Sequence, residues 1–145
     1  MPEENYERDF FAWAQEQAAL LRSGDWAKAD VEHIAQEIES MGKAEKRELI
    51  SRLAVLLLHL LKWRFQPALR GTSWRLSIEQ QRLKIADHID DNPSLKPLLP
   101  TALASAYRDA RLEASAETGL AVATFPDGCP WSAEQTLDAE FWPEA

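Results

Sequence analysis

The chain has 145 residues, 24 acidic against 16 basic side chains, and a formal charge of −8. Its 22 Ala and 19 Leu against 3 Val and 6 Ile leave too few strand formers for a β-sandwich or barrel, and 46% hydrophobic with 28% charged residues excludes wholesale disorder. The expectation is a single all-α domain over residues 1–145, long enough to bury a real core, with 1–5 and 143–145 frayed.

The first helix is marked by Tyr6, Phe10, Trp13, Ala14, Gln17 and Leu20 or Leu21, whose steps of three and four form one stripe. Gly24 follows as a left-handed stop. Asp25 or Asp30 can cap a second helix, with Val31, Ile34, Ile38 and Met41 as its core-facing stripe and Gly42 ending or bending it. The third helix runs from about Ala44 to Phe65. There Leu49, Leu53, Leu56 and Leu60 share a face, while Leu58 points the opposite way. A helix apolar nearly all round is central, or also supplies an interface. Pro67 ends it, because proline disfavours helical geometry in the residue before it.

Arg70 to Ser73 reads as a loop ending in an N-cap. The fourth helix then spans Trp74 to about Asp90, with Ile78, Ile85 and Ile89 inward. The fifth, Leu95 to about Thr118, carries Leu99, Leu103, Ala106 and Ala110, with Pro100 kinking or delaying its start. Residues 119–145 form a loop-like tail. Gly119 is its left-handed opening, Ser132-x-x-Gln135 is a capping box for a short helix to about Asp138, and Phe141 and Trp142 pack back. The predicted fold is a helical bundle of five main helices plus a short C-terminal helix.

The net charge hides an asymmetry. Residues 43–84 hold ten Lys+Arg and three Glu, giving +7, while the remainder carries −15. Internal neutralisation is one account of this pattern, since exposed pairs contribute little. A basic face for an anion or an acidic partner is another. Nucleic acid is disfavoured by the low overall pI, although Trp63, Phe65 and Trp74 interleave with the basic residues as base stacking would use.

One constellation carries candidate chemistry. His59, Trp63 and Gln66 lie on one helical stripe, Arg70 and Trp74 follow across the loop, and Arg82 stands two turns beyond Trp74. A hairpin of the third and fourth helices brings these toward a half-buried polar pocket. Arg70 and Arg82 would hold an anion there and His59 would move protons. The alternative is a structural network, with His59 hydrogen-bonded in the core and an arginine paired with Glu37 or another acid of the second helix. No Glu-x-x-His or His-Glu-x-x-His occurs; His33 with Glu37 and His88 with Asp91 are the nearest approaches, so no metal is expected. Cys129 has no identified His partner and reads as a packed or free thiol. Glycine-rich phosphate loops and G-x-S-x-G elbows are absent, so no cofactor or catalytic residue is expected.

Nothing resembles a membrane span, since the longest apolar stretch, Leu53 to Leu61, has nine residues and is interrupted by His59. The start MPEENYERDF is polar and acidic, unlike a signal peptide, and a single Cys gives no sign of an oxidising compartment, so a cytoplasmic location is expected.

In order, the chain reads YERDFFAWAQEQAALLRSGDW, DVEHIAQEIESMGKAEKREL, LLLHLLKWRFQPALRGTSWRLSIEQQR, NPSL, AYRDARLEASAETGL and FPDGCPWSAEQTLDAEFWP. This set resembles the bacterial family known as domain of unknown function twenty-nine, over about Tyr6 to Pro143. The resemblance implies an all-α bundle and no established reaction, ligand or site residue. The leading functional expectation is a small non-enzymatic protein-interaction or regulatory module, docking or self-associating through the basic helices or through apolar positions such as Leu58. The second is an enzyme, or a binder of an anion or small molecule, at His59, Gln66, Arg70 and Arg82. The third is nucleic-acid binding through residues 43–84.

Overall fold

A computed structural model describes residues 2–144. It contains six α-helices and four short 3₁₀ turns, with no strand among the described residues. Two compact units, Met1–Ala44 and Glu45–Ala145, divide the chain. Of the ends expected to fray, Met1 and Ala145 lie outside the described residues. Residues 2–5 stand within a helix, and Pro143 is buried.

The first unit holds α1 (Pro2–Arg8), α2 (Phe10–Arg22), a turn at Trp26–Lys28 and the opening of α3 (Val31–Phe65). The single first helix read from the sequence is therefore two. Asp9 leaves the helical region, at φ −147°, and its carboxylate accepts from the Ala12 N–H, so it caps α2. The stripe periodicity runs through this break and hides it. Trp13 and Gln17 are the buried side chains of α2. Polar bonds hold the unit together. Trp13 Nε1 donates to Asp30 Oδ2 at 3.1 Å, and the Asp30 N–H donates to Gln17 Oε1 at 2.7 Å. His33 Nδ1 meets Asp30 Oδ2 at 2.8 Å, Tyr6 OH donates to Glu37, and the Tyr6 ring stacks on His33 at 3.9 Å.

Those bonds turn the Asp30, His33 and Glu37 side of α3 inward. The neighbouring apolar stripe, expected to face the core, is left outside: Val31, Ile38 and Met41 are 61–66% exposed. The buried Trp13 indole N–H requires an acceptor, and the Asp30 carboxylate at the head of this polar side supplies it.

The expected second and third helices are one uninterrupted α3 of 35 residues. Gly42 does not end it. A mid-helix glycine costs only about 1 kcal/mol relative to alanine, and Lys43, Ala44, Glu45 and Lys46 are all good helix formers.

The second unit adds α4 (Thr72–Asp91), α5 (Leu99–Thr118) and α6 (Ala133–Leu137), with turns at Pro67–Leu69, Pro93–Leu98 and Val122–Thr124. Its core is the C-terminal half of α3. Leu49, Leu53, Leu56, Leu57, Leu60 and Leu61 are fully buried, packed with Ile78 and Ile85 of α4, Ala102, Ala106, Ala110 and Ala114 of α5, and Phe125 and Trp131 of the tail. Each such leucine gains about 2 kcal/mol by leaving water. Leu58, expected to be a free apolar position, is 8% exposed and lies against Asp109, Ala110 and Glu113 of α5. The leucines of this stretch are covered on every side, while Val55 stays 38% exposed.

Several ends follow the sequence. Pro67 closes α3, Gly119 closes α5 at φ +76°, and Ser132 with Gln135 forms the reciprocal capping box of α6. Others shift. α4 begins two residues early, at Thr72, with extended Gly71 as its cap; Pro93–Leu98 turns as a 3₁₀ segment, so α5 starts at Leu99 with Pro100 in its first turn.

Candidate functional site

Three of the six expected pocket residues converge, on the C-terminal tail. Arg82 of α4 is 6% exposed. Its Nε donates to the Thr136 carbonyl at 2.9 Å and its Nη2 to the Phe141 carbonyl at 2.8 Å, with its guanidinium 5.5 Å from the Trp142 ring. Arg70 donates through Nε to the Trp63 carbonyl at 2.6 Å and through Nη2 to the Pro143 carbonyl at 3.4 Å. The Trp63 ring lies 5.1 Å from the Arg70 guanidinium and 4.7 Å from Trp142. Two arginines and the Trp63 indole thus clamp the tail, and the acceptors are neutral main-chain oxygens.

The other three residues have separate roles. His59 donates from Nδ1 to the Val55 carbonyl of its own helix, at 2.8 Å. Gln66 caps the Pro67 turn with its backbone. Trp74 is half-buried beneath the Lys62 ammonium, 5.2 Å from its ring centre. The arginines find tail carbonyls rather than Glu37, so the expected network partner is replaced. Burial lowers the Arg82 pKa, and Asp138 and Glu79 partly offset that.

One cluster escaped the sequence reading. His88 of α4 is 7% exposed and bridges to α3. Its Nε2 donates to the Glu45 carbonyl at 2.9 Å and lies 3.5 Å from the Glu45 carboxylate, while Nδ1 stands 2.8 Å from Glu48. The donor atoms of Glu45, Glu48 and His88 lie within 4.8 Å of one another, the spacing of a cation site. However, the carbonyl can only accept, so Nε2 carries a hydrogen, and Nδ1 faces a carboxylate that also accepts. The ring bridges the Glu45 carbonyl and the Glu48 carboxylate, which makes the set a clamp between α3 and α4. The Glu-x-x-Glu spacing at 45 and 48 was visible in the sequence; the register that brings His88 beside it was not.

A cleft of about 490 Å³ lies between α5 and the tail, lined mainly by apolar groups with Tyr107, Arg111 and Cys129. Its polar groups are internally partnered. Tyr107 OH donates to the Pro126 carbonyl, and Arg111 holds the Phe125 carbonyl and Asp127. Burial pushes the Tyr107 hydroxyl up to about 12 and also raises the Cys129 thiol, which disfavours a nucleophilic thiolate.

The basic segment is also partly consumed internally. Arg82 and Arg70 hold the tail, Lys62 pairs with Glu117 at 2.9 Å, and Arg52 with Glu48 at 3.6 Å. The unpartnered feature is instead apolar. Seven of the thirteen exposed large apolar side chains among the described residues lie in the first unit: Phe10, Phe11, Leu21, Trp26, Val31, Ile38 and Met41. Among the described residues no helix is long and apolar enough to cross a membrane.

A family model described as "Domain of unknown function DUF29" matches residues 5–142. No curated protein and no solved structure matches.

Proposed function

The chain belongs to the DUF29 family, and from that premise we propose that it is a non-enzymatic protein-docking module of the bacterial cytoplasm. The observation behind this reading is the exposed stripe of α3. A unit of 44 residues in which Trp13 is the buried apolar side chain of α2 gains little from its own core. Units this small are commonly completed by binding something else. Val31, Ile34, Ile38 and Met41 fall within about 80° of one another around the helix, the width of a helix-docking face. Residues 1–44 carry ten acidic against four basic side chains. That imbalance favours a partner helix with a basic rim over a second copy of the same unit. The bacterial and cytoplasmic parts rest on the family resemblance and the single Cys.

The test compares wild type with an Ile38→Asp, Met41→Asp variant of unchanged helical content, as bait in extracts of the native host. The wild type should retain proteins that the variant loses, and more of them at low salt. Identical retained sets would overturn the reading. The anion-pocket alternative loses support because Arg70 and Arg82 hold tail carbonyls and His59 holds Val55.

A further inference from the structure

We propose that Glu45, Glu48 and His88 bind a divalent first-row transition cation such as Zn²⁺, with His88 Nδ1 and the Glu48 carboxylate as its nearest ligands. The clamp between α3 and α4 leaves one contact unaccounted for. His88 Nε2 donates to the Glu45 carbonyl at 2.9 Å, so the single hydrogen of a neutral ring is already placed there. Nδ1 then presents a lone pair to Glu48 Oε2 at 2.8 Å. Two acceptors at that distance repel unless a positive charge lies between them, and a proton or a metal ion can supply it. His88 is 7% exposed and its bond to the Glu45 carbonyl fixes the ring, so Nδ1 stays aimed into the cluster.

Several features favour the metal ion. A ligating histidine characteristically donates its other ring N–H to a main-chain carbonyl or carboxylate, as His88 does. Tetrahedral Zn²⁺, with ligands at about 2.1 Å, needs about 3.4 Å between donor atoms, a small shift that the half-exposed Glu48 can make. The Glu45 carboxylate, one helical turn before Glu48, keeps all three donor atoms within 4.8 Å of one another. Arg52 Nε stands 3.6 Å from Glu48 without a hydrogen bond, so it does not occupy that carboxylate. A cleft of about 230 Å³, lined by Glu48, Arg52, Lys84, Asp87, His88 and Asp91, gives a hydrated ion access. With Glu45 these surroundings hold four carboxylates against two cationic side chains, a net −2 that attracts a divalent ion. One imidazole nitrogen among oxygens sets the ion class, favouring Zn²⁺ and its first-row neighbours over Mg²⁺ and Ca²⁺. The ligands come from two helices, so the missing Glu-x-x-His motif, from which no metal was expected, does not bear on them. The set lies wholly within the second unit and is independent of the docking stripe.

Titration calorimetry of the full chain with Zn²⁺, Mg²⁺ and Ca²⁺ tests the assignment, together with nitrogen NMR of the His88 ring. Zn²⁺ should bind one site at least about tenfold more tightly than Mg²⁺ or Ca²⁺. It should move the Nδ1 resonance, leave Nε2 protonated, and raise Tm. Glu48→Gln preserves the size of a half-exposed side chain and leaves the bond between His88 and the Glu45 carbonyl intact. That variant should fold as the wild type does and bind Zn²⁺ about tenfold or more weakly. Absence of saturable Zn²⁺ binding, an unmoved Nδ1 resonance, equal affinity for Mg²⁺, or unchanged Zn²⁺ affinity in Glu48→Gln would each overturn the site and leave a proton as the charge between ring and carboxylate.

Discussion

Replacing Arg82 by alanine should remove about 3 kcal/mol of stability, and the structure says where that figure arises. Thr136 is fully buried, so its carbonyl loses the Arg82 Nε donor with no water to replace it. An orphaned buried acceptor of this kind costs about 1–3 kcal/mol, and a charged donor places it at the upper end. The Phe141 carbonyl lies on a partly exposed residue and regains water, so its loss is nearer 1 kcal/mol. Loss of the cation above Trp142 adds up to about 1 kcal/mol, offset by no longer holding a charge away from water. For a chain of this size, about 3 kcal/mol lowers Tm by roughly 10 °C. Thermal and urea unfolding followed by circular dichroism would read this, with exposed Arg75→Ala as a control expected within about 0.5 kcal/mol of wild type. A protease that cuts after acidic residues should also reach Asp138 and Glu140 faster in Arg82→Ala. If that variant unfolds within about 0.5 kcal/mol of wild type, the tail is not held by Arg82.

Further outcomes follow from single observations. Tyr107, raised to about 12, binds a proton more tightly folded than unfolded. Its contribution is therefore complete below the ordinary tyrosine pKa of about 10 and is lost as pH rises toward 12. The tyrosinate absorbance of folded protein should accordingly show a midpoint near 12, and a midpoint near 10 for both tyrosines would contradict its burial. For Asp30, burial alone would raise the carboxyl, but hydrogen bonds from His33 and Trp13 outweigh it and hold the pKa down. That stabilises the first unit above the ordinary carboxylate range and fails as pH falls below it, so Asp30→Asn should flatten the acid limb of the stability profile. A Cβ at Gly42 meets nothing within 4 Å, so Gly42→Ala should stabilise α3 by about 0.5–1 kcal/mol, read as a rise in Tm. Cys129 should react with a thiol reagent at neutral pH far more slowly folded than in urea.

The fold was largely legible because its strongest signals are local. Leucine spacing marked the core face of α3, and Pro67, Gly119 and the Ser132–Gln135 box marked ends that the backbone confirms. Reading failed where a local rule met a distant partner. Asp9 broke a helix that periodicity would continue, and Gly42 failed to break one. The α3 stripe ended outside because Trp13 and Tyr6 bond Asp30 and Glu37 on the other side of that helix. The candidate site was legible as residue types but not as acceptors. Trp63, Arg70 and Arg82 do converge, yet what draws them together is a set of carbonyls between 136 and 143, and main-chain oxygens leave no mark in a sequence. His88 was hidden for the same reason, since it bonds the Glu45 carbonyl from 43 residues away.

The arginine clamp also determines how the tail can vary. Every residue carries a carbonyl, so the side chains at 136 and 141 are not what Arg82 grips. Homologous tails could differ widely in composition between those positions and keep the clamp. A single insertion or deletion there would move the second carbonyl out of reach. Spacing, rather than residue identity, is the quantity that Arg82 would hold fixed as such sequences diverge.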